Sequence, residues 1–231
     1  MFNIPPVVTG LLVVILGIQA IESFALPTYT ADLIVWDFGF VPAGISAPQT
    51  LPPEVIIAAG RIWTFLTYAL LHGGWEHVGF NAVWLAAFGS PLAWRFGTTR
   101  FLLFSAVGAI AGALVHFAIY PTSPIPLVGA SAAISAHMAG AARFVFTSAG
   151  PMWRPADAAA YRLPAPPLAV VLRDRRVFIF LAAWFGFNLL LGISTISQSI
   201  ASGAVAWDAH LGGFFAGLLL FPLFDPIRSR R

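Results

Sequence analysis

The chain has 231 residues, of which 59% are hydrophobic and only 9% charged, with a mean hydropathy of +0.86 and a formal net charge of +3. Soluble domains carry about 25% charged residues, so this chain lacks the polar surface to face water and reads as an integral membrane protein. It has no Cys, and all 12 basic residues are Arg, which excludes disulfides, thiol catalysis, Cys-based metal sites, Schiff bases and a Ser–Lys dyad.

The first apolar stretch, residues 7–26, has no basic segment before it and runs too long for a signal sequence, so it is expected to be a retained first span. Residues 55–71 form a rival span that would bury Arg61 near its middle, at about 2.5–3.5 kcal/mol on insertion scales. Gly60 and the Pro52-Pro53 pair favour a broken, partly submerged loop there instead. Further spans are expected over 75–95, 100–120, 131–147, 176–195 and 208–226, each long one near the ~20 residues that cross a bilayer.

Arg95 and Arg100 fall between spans two and three. Arg143, Arg154, Arg162, Arg173, Arg175 and Arg176 fall at the end of span four and in the Pro-rich loop after it, and Arg228, Arg230 and Arg231 close the chain. Only Arg61 lies on the other side, so the positive-inside rule places both termini in the cytoplasm. The expectation is an all-α polytopic membrane protein of six transmembrane helices, one domain over residues 1–231, with no separate soluble domain.

Span four is expected to be short and sunken. Pro121, Pro124, Pro126 and Gly129 leave helix possible only from about Ser131, and a helix from there to Thr147 covers about 25 Å of a ~30 Å core. Its start therefore lies below the outer surface, where irregular backbone is tolerated only if it is buried in protein or lines a cavity.

Polar residues inside spans are costly and mark candidate sites. His77 and Asn81, four apart, share a face at the outer end of span two. Ser131 opens span four and His210 opens span six at the same side of the bilayer. A serine needs a base within hydrogen-bond reach, which His210 can supply. The Asn81 amide and the Ser131 backbone N–H are natural donors to an acyl oxyanion. Small residues at Ser131, Ser135 and Ala139 form a stripe expected to meet Gly213 and Gly217, since four-residue spacing lets helices approach closely in lipid. His137 points about 120° from Ser131 on a helix and cannot be its base; it and His116 read as structural. Asn188 reads as interhelical glue, Glu76 as a solvated charge and Asp208 as the N-cap of span six.

Three motifs stand in order along these spans: H-x4-H-x3-N at His72, His77 and Asn81, G-x-S at Gly129 and Ser131, and A-H-x2-G-x3-G at Ala209, His210, Gly213 and Gly217. Together they resemble the rhomboid family of intramembrane serine proteases, from about Trp63 through span six. The resemblance implies a Ser131–His210 dyad cutting transmembrane protein substrates at or within the bilayer, next to small residues, with no cofactor, metal or nucleic acid. It implies stabilising roles for Asn81 and His77, a loop in the outer leaflet between the first two spans, and a multi-pass location, here expected to be a bacterial inner membrane. His72 either serves the site or orders its loop. The chain departs from the family pattern at Ala132, where Gly often follows the serine, at Ser135, where an aromatic commonly packs on the histidine, and at Thr64, where Arg often follows Trp63. A non-cleaving rhomboid-like protein that binds transmembrane clients is the alternative. Substrate identity and oligomeric state are not encoded in these motifs.

Overall fold

The computed structural model describes residues 4–56, 60–146, 163–193 and 206–227. Among these every regular element is helical, and the one isolated bridge pairs Phe40 with Leu127. Helix α1 (Pro6–Phe24) opens with a proline at its first turn, where no N–H is missed. The stretch that follows is broken: α2 (Thr28–Phe38), α3 (Pro42–Ser46), α4 (Pro53–Ile56), α5 (Thr64–Thr67) and a 3₁₀ turn over Tyr68–Leu70. Residues 55–71 are thus not one span, as Gly60 and the paired prolines suggested. Arg61 stacks on the Trp63 ring at 4.9 Å, and Thr64 Oγ1 turns back to the Arg61 carbonyl.

The second apolar segment runs as α6 (Trp75–Trp84), a π-helical turn over Leu85–Gly89 and α7 (Ser90–Phe96). Pro91 carries no N–H to continue the α-helical ladder, and a widened turn is one way to accommodate it. Helix α8 (Thr98–Ile119) has 22 residues and is about 33 Å long. Helix α9 (Ser131–Ala142) has 12, about 18 Å, so the α-helix stops five residues short of the expected Thr147. A turn carries the chain on through Phe146. Helices α10 (Leu168–Val171), α11 (Arg175–Ile193) and α12 (Trp207–Phe224) complete the fold. Helices α1, α8 and α12 are long and apolar enough to cross a membrane, and their outer faces show Val13, Leu103 and Leu223 to the surroundings.

Helix α9 is central. Every residue from Ala132 to Ala142 is buried, and only Ser131 at its start is partly exposed. Helices α8 and α12 enclose it, and glycines set the spacing. A Cβ on Gly217 would fall 2.5 Å from the Ala136 carbonyl oxygen, and one on Gly213 would strike that of Ala132. On α8, a Cβ on Gly108 would meet that of Ala136 at 2.6 Å, and one on Gly112 that of Ala132 at 2.5 Å. The surface that meets the glycines of α12 is therefore Ala132 and Ala136, not the expected Ser131–Ser135–Ala139 stripe. Ser135 instead donates from Oγ to the Ser131 carbonyl one turn back at 2.8 Å. Along this contact Gly213 pairs with Ala132 and Gly217 with Ala136, so α9 and α12 run parallel.

Candidate active site

The chain before Ser131 is pinned by backbone hydrogen bonds to the broken segment between α1 and α6. Phe40 and Leu127 exchange N–H···O bonds of 3.0 and 2.8 Å, Ala43 N–H reaches the Ser123 carbonyl at 2.9 Å, and Gly129 N–H reaches the Tyr68 carbonyl at 3.0 Å. The Tyr68 hydroxyl in turn donates to the Ala109 carbonyl at 2.8 Å, tying the loop to α8. A buried loop must satisfy its backbone in this way.

Gly129 is held at φ +118°, a conformation glycine adopts without steric cost. It is also required for space. A Cβ there would fall 2.7 Å from His77 Nε2 and 3.7 Å from Ser131 Oγ, so the imidazole and the hydroxyl flank one glycine. His77 Nδ1 accepts a hydrogen bond from Gly73 N–H at 3.3 Å, which leaves the proton of a neutral ring on Nε2, the nitrogen facing Gly129. His72 is buried, its ring meets that of His77 edge-on at 5.1 Å, and its Nε2 accepts the Ala130 N–H at 3.4 Å. Burial, with His77 close by, holds the His72 imidazole down at about 4, so it is neutral near pH 7. Asn81 is buried one turn below His77 and spends one amide N–H on the His77 carbonyl at 2.9 Å.

His210 lies in the first turn of α12, three residues before Gly213. Three residues advance a helix about 4.5 Å, and the parallel seating of Gly213 on Ala132 therefore puts His210 level with residues 129–131. Ser131 and His210 are both partly exposed, and they are not hydrogen-bonded to each other. Ground-state catalytic pairs are often looser than the reacting complex. His210 Nδ1 is 2.7 Å from Asn188 Oδ1 on α11. Among the described residues no aromatic ring stacks on it, and Ser135, at the position where the family pattern commonly has an aromatic, is buried.

Asp208 is not an N-cap. Helix α12 begins at Trp207 with Ala206 as its cap residue, and Asp208 turns inward, 2.6 Å from His116 Nδ1 on α8. A buried carboxylate needs a partner, and α8 offers one. His137 lies away from Ser131 as its spacing required, with Nε2 2.8 Å from Ser105 Oγ and its ring 4.8 Å from that of Phe101. Glu76 is exposed. Among the described residues no cluster of His, Asp and Glu could hold a metal ion.

A profile of the rhomboid domain family matches residues 59–225, most of the chain. The chain belongs to the rhomboid family. Rhomboid protease GluP of Bacillus subtilis is 31% identical over 165 residues, which cover 71% of this chain and 27% of that protein. Rhomboid-related protein 2 of Mus musculus is 26% identical over 185 residues, 78% of this chain and 54% of the relative. Rhomboid-related protein 3 of Homo sapiens is 39% identical over 83 residues, 34% of this chain and 20% of the relative. The matches thus span between a fifth and about half of these rhomboid relatives. Within the rhomboid match, sequence reasoning singled out Gly129, Gly213 and Gly217 as packing positions, where close approach occurs, but it missed Gly112. Gly112 makes room for the Ala132 methyl that departs from the family pattern. Asn188, read as interhelical glue, does join two helices, presenting its oxygen from α11 to His210 on α12. The available signal was a lone amide in an otherwise apolar α11.

Proposed function

We propose that this rhomboid is an intramembrane serine endopeptidase, built as one six-span domain with both termini in the cytoplasm, that hydrolyses peptide bonds of transmembrane protein substrates. Ser131 Oγ attacks the scissile carbonyl carbon while His210 Nε2 takes the hydroxyl proton. The tetrahedral oxyanion lies between Ser131 N–H and the Nε2–H of His77, with the remaining Asn81 amide N–H behind. His210 then returns its proton to the leaving amine, and water drawn in by the same base releases the acyl group from Ser131. His72 keeps the Gly129–Ser131 backbone in place through Ala130.

The observation that carries this reading is the seating of Gly213 and Gly217 on the α9 backbone, which brings His210 to the level of Ser131. Supporting it, one relative named as a protease, Rhomboid protease GluP, matches over most of this chain. On this reading the short α9 starts below the outer surface, as a hydrolase in a bilayer that must admit water to its nucleophile requires. Relatives named only as rhomboid-related keep the non-cleaving alternative in view. Labelling by a fluorophosphonate separates the two. A protease is labelled at Ser131 and loses the label in His210→Ala, whereas a client-binding protein is not labelled at all.

A further inference from the structure

We infer that Asn188 is the positioning residue of His210, fixing its ring orientation and its neutral tautomer through a relay that begins at the Trp184 carbonyl. The inference rests on the Ser131–His210 reading and adds a third member to it. Asn188 is 4% exposed, so its amide cannot turn to water for its hydrogen bonds. Its Nδ2 lies 2.8 Å from the Trp184 carbonyl oxygen, one turn back on α11. That oxygen can only accept, so the NH2 end of the amide must face it, and a flipped amide would set two acceptors against each other. The Oδ1 end is thereby aimed at His210 Nδ1, 2.7 Å away. An amide oxygen also only accepts, so Nδ1 must carry the proton of the neutral ring. The lone pair is left on Nε2, the nitrogen that a general base for Ser131 requires.

The tautomer of a histidine is set by the partner of its other nitrogen, and free neutral imidazole side chains favour the opposite form, with hydrogen on Nε2. The acid that could have done this work is engaged elsewhere, since Asp208 pairs with His116. Helix α11 is itself held against α12 by the stacked rings of Trp184 and Phe214, 4.6 Å apart, so the amide is presented from a packed element.

The test uses the full-length protein in detergent or liposomes, with a transmembrane reporter substrate and ¹⁵N-histidine labelling. In the wild type the His210 resonances should report hydrogen on Nδ1; hydrogen on Nε2 would overturn the inference, whatever the activity. Asn188→Leu keeps the bulk without the acceptor. It should lower kcat at least about 10-fold with the His210 tautomer mixed, and up to about 10⁴-fold if the tautomer is reversed, the loss that a wrong tautomer causes in a serine protease, at unchanged KM. Asn188→Asp, its buried carboxyl protonated so that the O–H donates to the Trp184 carbonyl as the amide does, restores an acceptor at the same place and should recover most of that loss. Full kcat in Asn188→Leu, or no recovery in a folded Asn188→Asp, would overturn the inference. Failure of the dyad itself reads differently, as cleavage that survives Ser131→Ala.

Discussion

Asp208 Oδ2 lies 2.6 Å from His116 Nδ1, and both groups are buried between α8 and α12. Removing Asp208 leaves the buried His116 N–H without its acceptor, a loss of about 1–3 kcal/mol. Asp208→Ala should therefore lower the unfolding temperature. Asp208→Asn keeps an acceptor for His116 and should leave kcat within a few-fold of wild type. Loss of the correct tautomer in a true Ser–His–Asp triad costs about 10⁴, so one kinetic comparison in folded protein distinguishes the roles. A second comparison concerns the oxyanion. His77 Nε2 faces Gly129 beside Ser131, while one amide N–H of Asn81 is spent on the His77 carbonyl. On the proposed mechanism His77 therefore ranks ahead of Asn81 as the side-chain donor. His77→Ala should lower kcat by about 10²–10³, the range for one such donor, and Asn81→Ala by less, both with little change in KM. A larger loss at Asn81 would make it the principal donor.

Glycine spacing dominates at the scale of the helix. Gly112 on α8 faces the Ala132 methyl, with the Ala209 carbonyl oxygen 2.9 Å and the Tyr68 hydroxyl 3.1 Å from where a Cβ would stand. Overpacking a tight contact costs about 1–3 kcal/mol, so Gly112→Ala should destabilise the protein by that amount in thermal unfolding. Adding Ala132→Gly removes the methyl it strikes and should return part of the loss, the remainder reflecting Ala209 and Tyr68. Strict additivity of the two changes would mean the helices do not meet there. This contact explains why the elements were more legible than their faces. Hydropathy and proline positions located the helix starts, Ser131 among them, because those signals are local. Which side of α9 meets α12 depends on rotation about the helix axis. Nine of the twelve residues from Ser131 to Ala142 are Ala, Ser or Gly, and only Ile134, His137 and Met138 are larger, so more than one face is small and spacing alone does not single out the one that meets α12. The Asn188–His210 and His116–Asp208 pairs were illegible for the same reason: each joins residues far apart in sequence through a packing angle.

For the molecule as a whole, charge patterning and ion pairing agree. Arg95 at the end of α7 makes a bidentate pair with Asp225, just past α12, at 2.9 and 2.8 Å, and donates to the Leu163 carbonyl at 2.9 Å. The pair ties the second apolar segment to the last at the end of the bundle expected to face the cytoplasm. Reporter fusions after Phe224 should be active only with a cytoplasmic reporter, and a signal from the opposite side would overturn the positive-inside assignment. The central claim is that Ser131 is the nucleophile of a protease seated in this bundle. The most direct measurement is mass spectrometry of a transmembrane reporter incubated in liposomes with wild-type protein and with Ser131→Ala. A defined cleavage product is expected from the wild type and none from the variant, with His210→Ala added to Ser131→Ala changing nothing further, because members of a catalytic unit are strongly non-additive. Equal product from wild type and Ser131→Ala would contradict it.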